Sequence, residues 1–117
     1  MEEEDDFNEK KYTEKMDNMY QLFPNLKFCP LVEHYDILDD VLLKNKDGII
    51  YYKHECFCCN PNRTDVELIY IKRNRHITYR DFYQECNDKW KYDMCNHLFL
   101  ESIDVKNDTQ IDIWFGS

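Results

Sequence analysis

The chain has 117 residues, with 24 Asp or Glu against 15 Lys or Arg and a net charge of −9. That length suits one domain with a modest core and not two. The only basic cluster is Lys72, Arg73, Arg75 and Arg80, and a solvated loop face suits it better than nucleic acid, since phosphate binding needs more clustered Lys and Arg. No apolar run approaches the roughly 18 residues of a membrane span. The acidic start has no apolar h-region, so an intracellular chain that is not secreted is expected, with six reduced cysteines. Hydrophobic content of 43% and aromatic content of 15% argue for a folded protein.

Residues 1–9 hold Glu2, Glu3, Glu4, Asp5, Asp6 and Glu9 and no base; without them the net charge is −3. Such a block reads as a disordered acidic tail, or as a lure for a basic partner, ahead of a single α+β domain over 10–117. Tyr12, Met16, Met19, Tyr20 and Phe23 then recur at helical spacing up to Pro24. They predict a helix packed on the core, with a partner-binding helix as the other reading. Residues 25–48 contribute core mass through Leu31, Val32, Ile37, Leu38 and Val41 to Leu43, and end in the turn Asn45-Lys-Asp-Gly48.

Ile49 to Phe57 reads as a strand, Asn60-Pro-Asn62 as a break, and Asp65 to Lys72 as a second strand pairing with the first in a hairpin. Thr78 is placed to cap a helix from Tyr79 to about residue 92, with Asp81 in its first turn and Tyr79, Phe82, Tyr83, Cys86 and Trp90 on one face. Leu98 to Val105, the turn Lys106-Asn-Asp108, and Gln110 to Phe115 form another hairpin. Ile111, Ile113 and Phe115 take one face of its second strand, and Gln110, Asp112 and Trp114 the other. The expected fold is a small antiparallel sheet of two hairpins with the 79–92 helix packed on one face and the N-terminal helix appended.

His54, Cys56, Cys58 and Cys59 crowd into six residues, and Cys95-Asn-His97 follows later. The C-x2-C of Cys56 and Cys59 suits a tight turn that aims two thiolates at one ion. Cys95 and His97 would complete a tetrahedral zinc site. On a regular strand, alternate residues lie about 6.6 Å apart and do not readily share an ion. The first reading of the same residues is as buried, reduced thiols, since free Cys is among the most buried residue types.

Cys56-x2-Cys59 followed by His76 and Cys86 resembles the zinc spacing of the baculoviral inhibitor-of-apoptosis repeat, including its Cys-Phe-x-Cys run. That resemblance would make His76 and Cys86 the other two ligands. The His76–Cys86 interval is longer than that family's, and Asn60-Pro61 stands where it has a Gly pair. The zinc deaminase signature of H-x-E with P-C-x-x-C fails, because His54, Glu55 and Cys56 are adjacent. With two Gly residues there is no Gly-rich phosphate loop.

The stretches His76-Ile-Thr-Tyr-Arg-Asp-Phe82, Cys95-Asn-His-Leu-Phe-Leu-Glu101 and Ile111-Asp-Ile-Trp-Phe-Gly-Ser117 resemble small proteins of giant DNA viruses of amoebae. The resemblance covers roughly the last 45 residues. It implies no catalytic residue. It implies that Thr78, Arg80, Asp81, His97, Glu101, Gly116 and Ser117 form one structural unit, with Arg80 or Asp81 pairing with Glu101 or His97 where helix meets sheet.

The expected function is that of a small viral, non-enzymatic interaction or structural protein with a protein partner, acting in the infected host cell or packaged in the virion. A zinc-stapled binding module, including an inhibitor-of-apoptosis-like regulator of host cell death, is the alternative. A Cys-dependent enzyme is the second alternative.

Overall fold

The computed structural model describes residues 2–53, 66–90 and 99–116. The expected α+β architecture is present. In chain order come α1 (Glu2–Leu22), a 3-10 helix (Val32–Ile37), β1 (Val41–Leu43), β2 (Asp47–Lys53), β3 (Val66–Lys72), β4 (Ile77–Thr78), α2 (Tyr79–Lys89), β5 (Phe99–Val105) and β6 (Gln110–Gly116). Two pairings carry the architecture: β2 with β3 and β5 with β6, both antiparallel. These join through a parallel contact between β2 and β6, giving a four-stranded sheet of order β3-β2-β6-β5. The junction makes the sheet mixed, a non-local pairing that alternation within each strand does not encode. The short β1 and β4 form a separate antiparallel pair.

One face of the large sheet is the core face. Ile50, Ile69, Ile71, Leu100, Ile111 and Ile113 all turn into it and are buried. α2 covers it with Phe82, Tyr83 and Cys86, and α1 adds Met16, Met19 and Phe23. The α1 stripe is therefore core at those three positions, while Tyr12 and Tyr20 are exposed. The acidic run expected as a disordered tail forms the first turns of α1. Glu is a good helix former, and carboxylates near a helix N-terminus are favoured by the dipole.

α2 ends at Lys89, three residues short of the expectation. Its start is locally specified. The Thr78 side chain accepts from the Asp81 N–H, and the Asp81 carboxylate accepts from the Thr78 N–H, a reciprocal capping box.

The pairing registers give the sheet two unlike ends. β2 and β6 run the same way, and β3 and β5 run against them. One end therefore holds Lys53, Val66, Phe99 and Gly116; the other holds Asp47, Lys72, Val105 and Gln110. The first end is packed by aromatic rings, Phe28, Tyr52, Trp90 and Phe115, with centroids 4.9–5.9 Å apart. The second end is open.

Candidate functional site: a lysine-rimmed cleft at the open end of the sheet

Two loops and a strand end meet at the open end. Residues 44–46 link β1 to β2, Lys72 closes β3, and residues 106–109 turn β5 into β6. Asn107 Oδ1 accepts from the Thr109 N–H, the Thr109 hydroxyl and the Gln110 N–H, an Asx turn that fixes the hairpin. Two bonds then tie the loops together: Ile49 N–H donates to Thr109 C=O at 2.7 Å, and Asn45 Nδ2 donates to Asp108 C=O at 2.9 Å.

Between them lie two adjoining hollows of about 420 and 370 Å³ that share Asp47 and Thr109. Gly48, Ile49 and Ile71 give the larger one an apolar floor, and Tyr70, 60% exposed, stands at its side. Lys44, Lys46 and Lys72 rim the cleft, all exposed, against the single carboxylate of Asp47. Among the described residues none of these three lysines is in an ion pair. Gly48 lets the β1 side pack closely behind the floor, because a Cβ there would lie 2.6 Å from Leu43 Cδ1 and 3.2 Å from Ile77 Cδ1.

The neighbouring basic residues are differently employed. Arg73 bonds Asp81 at 3.1 Å and Glu85 at 2.7 Å, and Arg75 grips both oxygens of Asp81 at 2.6 and 3.0 Å. Burial pushes the Asp81 carboxyl up, but Arg75, the Thr78 N–H and Arg73 outweigh it and leave its pKa at about 2. Arg80 pairs with Asp39. The cluster expected as a solvated face is thus largely a structural ion-pair network, and Lys72 alone of the four is left to the cleft.

The expected pairing of Arg80 or Asp81 with Glu101 is corrected by this geometry. The N-terminus of α2 lies beside β3, whereas Glu101 sits on β5 at the opposite sheet edge, exposed at the register shift between Leu100 and Ser102. His97 lies outside the described residues.

Cys56, Cys59, Cys95 and His97 also lie outside them, as does Ser117. His76 is exposed, its Nδ1 against the Lys44 carbonyl. Cys86 is fully buried in the core. Desolvation pushes its thiol pKa well up, with Glu85 adding to the effect, so the neutral thiol is favoured there. Among the described residues no group of three or more metal-binding side chains comes together.

A second polar centre is buried under the 3-10 helix. Leu31 N–H donates to Tyr83 Oη at 3.3 Å, and the Tyr83 hydroxyl lies 2.6 Å from His34 Nδ1. Burial lowers the His34 pKa and favours the neutral ring, whose Nδ1 shares one hydrogen bond with the Tyr83 hydroxyl. All three polar groups are thereby satisfied, which marks a structural clamp between the 3-10 helix and α2.

The chain matches no family model, and neither curated proteins nor solved structures yield a match. No helix among the described residues is long and apolar enough to cross a membrane.

Proposed function

We propose that the protein is a non-enzymatic interaction module whose cleft takes an acidic protein segment carrying one apolar anchor. The observation that carries this reading is the rim of Lys44, Lys46 and Lys72, left without anionic partners around an apolar floor in a chain of net charge −9. Where Arg73, Arg75 and Arg80 are consumed by their own carboxylates, these lysines are available to a partner's. A long polyanion would meet the repulsion of the acidic body, whereas a short acidic segment touches only the rim. Tyr70 and Ile49 supply the contact for its anchor. The similarity to giant-virus proteins supports placing such a partner in the infected host cell or the virion.

The test is fluorescence anisotropy with a labelled acidic peptide bearing a central Phe. Binding should weaken at high salt, with Phe replaced by Ser in the peptide, and in Lys72→Glu by about tenfold, the order expected when an attractive exposed pair becomes repulsive. Binding unchanged in Lys46→Glu/Lys72→Glu would sink the reading.

One observation favours a second element of the same reading, a zinc staple. The chain leaves β2 at Lys53 and re-enters β3 at Val66; it leaves α2 at Lys89 and re-enters β5 at Phe99. Lys53, Val66 and Phe99 share the packed end of the sheet, and Trp90, just past α2, stacks there on Tyr52 and Phe115. The segments bearing Cys56 and Cys59, and Cys95 and His97, therefore start from one place. A staple predicts about one zinc per chain and a large fall in melting temperature on chelation; metal-free protein that melts unchanged with chelator would remove it.

A further inference from the structure

The chain carries a segment of the chemistry that its own cleft selects. Residues 2–9 hold six carboxylates around Phe7, and they form the first turns of α1. The rest of that helix fixes where they stand. Met16 and Met19 anchor its C-terminal half in the core, with Phe23 just past its end, while every residue from Lys10 to Glu14 is exposed. Over that stretch the helix is more exposed than in the half that follows it. Residues 2–15 span roughly 20 Å at 1.5 Å per residue. A continuous helix held at its far end does not fold back on itself, and the cleft of a second copy is open to its acidic end.

From this we infer that the acidic end of α1 docks, on a second copy of the chain, in the cleft rimmed by Lys44, Lys46 and Lys72. Phe7 seats on the apolar floor beside Tyr70, and the surrounding carboxylates meet the lysines. The inference rests on the reading of the cleft as an acidic-segment site and names its occupant. The two surfaces differ, so the contact is heterologous. Each bound chain still offers one free cleft and one free acidic end, and assembly extends from chain to chain unless the geometry closes a ring.

Sedimentation velocity on the full chain tests this. At low salt the wild-type protein should show concentration-dependent species larger than a monomer, and at high salt the monomer. Two variants separate the halves of the contact: Glu3→Lys/Glu4→Lys/Asp6→Lys reverses the acidic end, and Lys46→Glu/Lys72→Glu reverses the rim. Both change exposed or terminal positions, and circular dichroism with thermal melting checks the fold of each. Each variant alone should be monomeric. Mixed, they should assemble again, since the intact acidic end of one variant meets the intact cleft of the other and the reversed end meets the reversed rim. A mixture that stays monomeric, or an acidic-end variant that assembles like wild type, overturns the inference. If the Phe-bearing acidic peptide binds the cleft while the wild-type chain stays monomeric, the contact between copies falls and the module reading stands. If the peptide does not bind and the chain stays monomeric, both fall.

Discussion

Replacing Asp81 by Asn should remove the most pH-sensitive part of the fold's stability. Asp81 is 4% exposed, caps α2 through Thr78, and receives both Arg73 and Arg75. Its folded-state pKa of about 2 lies below the ordinary 3.8. At 1.36 kcal/mol per unit that depression corresponds to roughly 2.5 kcal/mol, which the exposure of Arg75 reduces to about 2. The sign follows from the depression: the stabilisation is complete above pH 3.8 and is lost as pH falls toward 2. Asn keeps the shape and an oxygen for the cap but not the charge. Urea unfolding followed by the fluorescence of buried Trp90 should give Asp81→Asn a loss of about 2 kcal/mol at neutral pH, roughly 8 °C in melting temperature. The deficit should shrink steadily below pH 4, because the wild type then loses the same charge. A deficit under about 0.5 kcal/mol at neutral pH, or one that persists undiminished at pH 2–3, would refute the reasoning.

Tyr83→Phe should destabilise by about 1–3 kcal/mol, since it strips the Leu31 N–H of its acceptor and His34 Nδ1 of its hydrogen-bond partner inside the protein; thermal unfolding measures it. His34 should titrate below 6.5 by NMR. The unfolded chain then binds the extra proton first, so His34 leaves stability intact above pH 6.5 and subtracts from it as pH falls toward the folded-state value. Gly48→Ala should cost about 1–3 kcal/mol by overpacking against Leu43 and Ile77, and Leu43→Ala placed beside it should recover part of that, read by urea midpoints. Cys86 should resist a thiol reagent such as Ellman's in the native state and react only on unfolding, because its thiol is fully buried and its thiolate disfavoured.

What the sequence made legible was local. The capping box needs only Thr78 and Asp81, three residues apart, and both the start of α2 and its buried face over Phe82, Tyr83 and Cys86 follow from it. The second hairpin was readable because residues 110–115 alternate and the Asn107 turn is chemically distinctive. Alternation misled at one point: Asp112 lies on the outer face yet is buried, holding Gln110 Nε2 at 2.7 Å with Lys106 Nζ 3.8 Å away. Nothing local encodes the parallel pairing of β2 with β6, and the errors depending on topology follow from that. Glu101 fell at the wrong edge for Arg80 and Asp81. The lysine-rimmed cleft went unseen because Lys46, Lys72 and Thr109 lie far apart in sequence. A usable signal existed in the two polar turns at 45–48 and 106–108, which must share a sheet end once the hairpins join through parallel strands.

The β3 edge is guarded, which is a further reason to place the proposed partner site at the open end and not along the strand. Arg73 N–H donates to Lys46 C=O, which sets the odd-numbered residues of β3 toward β2 and turns the backbone groups of Val66, Leu68, Tyr70 and Lys72 outward. Such an edge, apolar and seven residues long, invites pairing with another chain. Here α2 blocks half of it. Lys89 Nζ donates to Tyr70 C=O at 2.9 Å, and Arg73 Nη1 donates to Lys72 C=O at 2.9 Å. Glu85 holds both cations in place, at 2.9 and 2.7 Å. A strand added there would have to displace two charge-assisted bonds before making its own. The carboxylate of Glu85 is buried at the helix–strand junction to maintain that block, so Glu85→Ala should free Lys89 and Arg73 and expose an unprotected edge. The expected outcome is self-association that high salt does not reverse, unlike the salt-sensitive contact of the acidic helix end. A Glu85→Ala protein that remains as monodisperse as wild type at high salt would show that the edge is guarded by something other than these two cations.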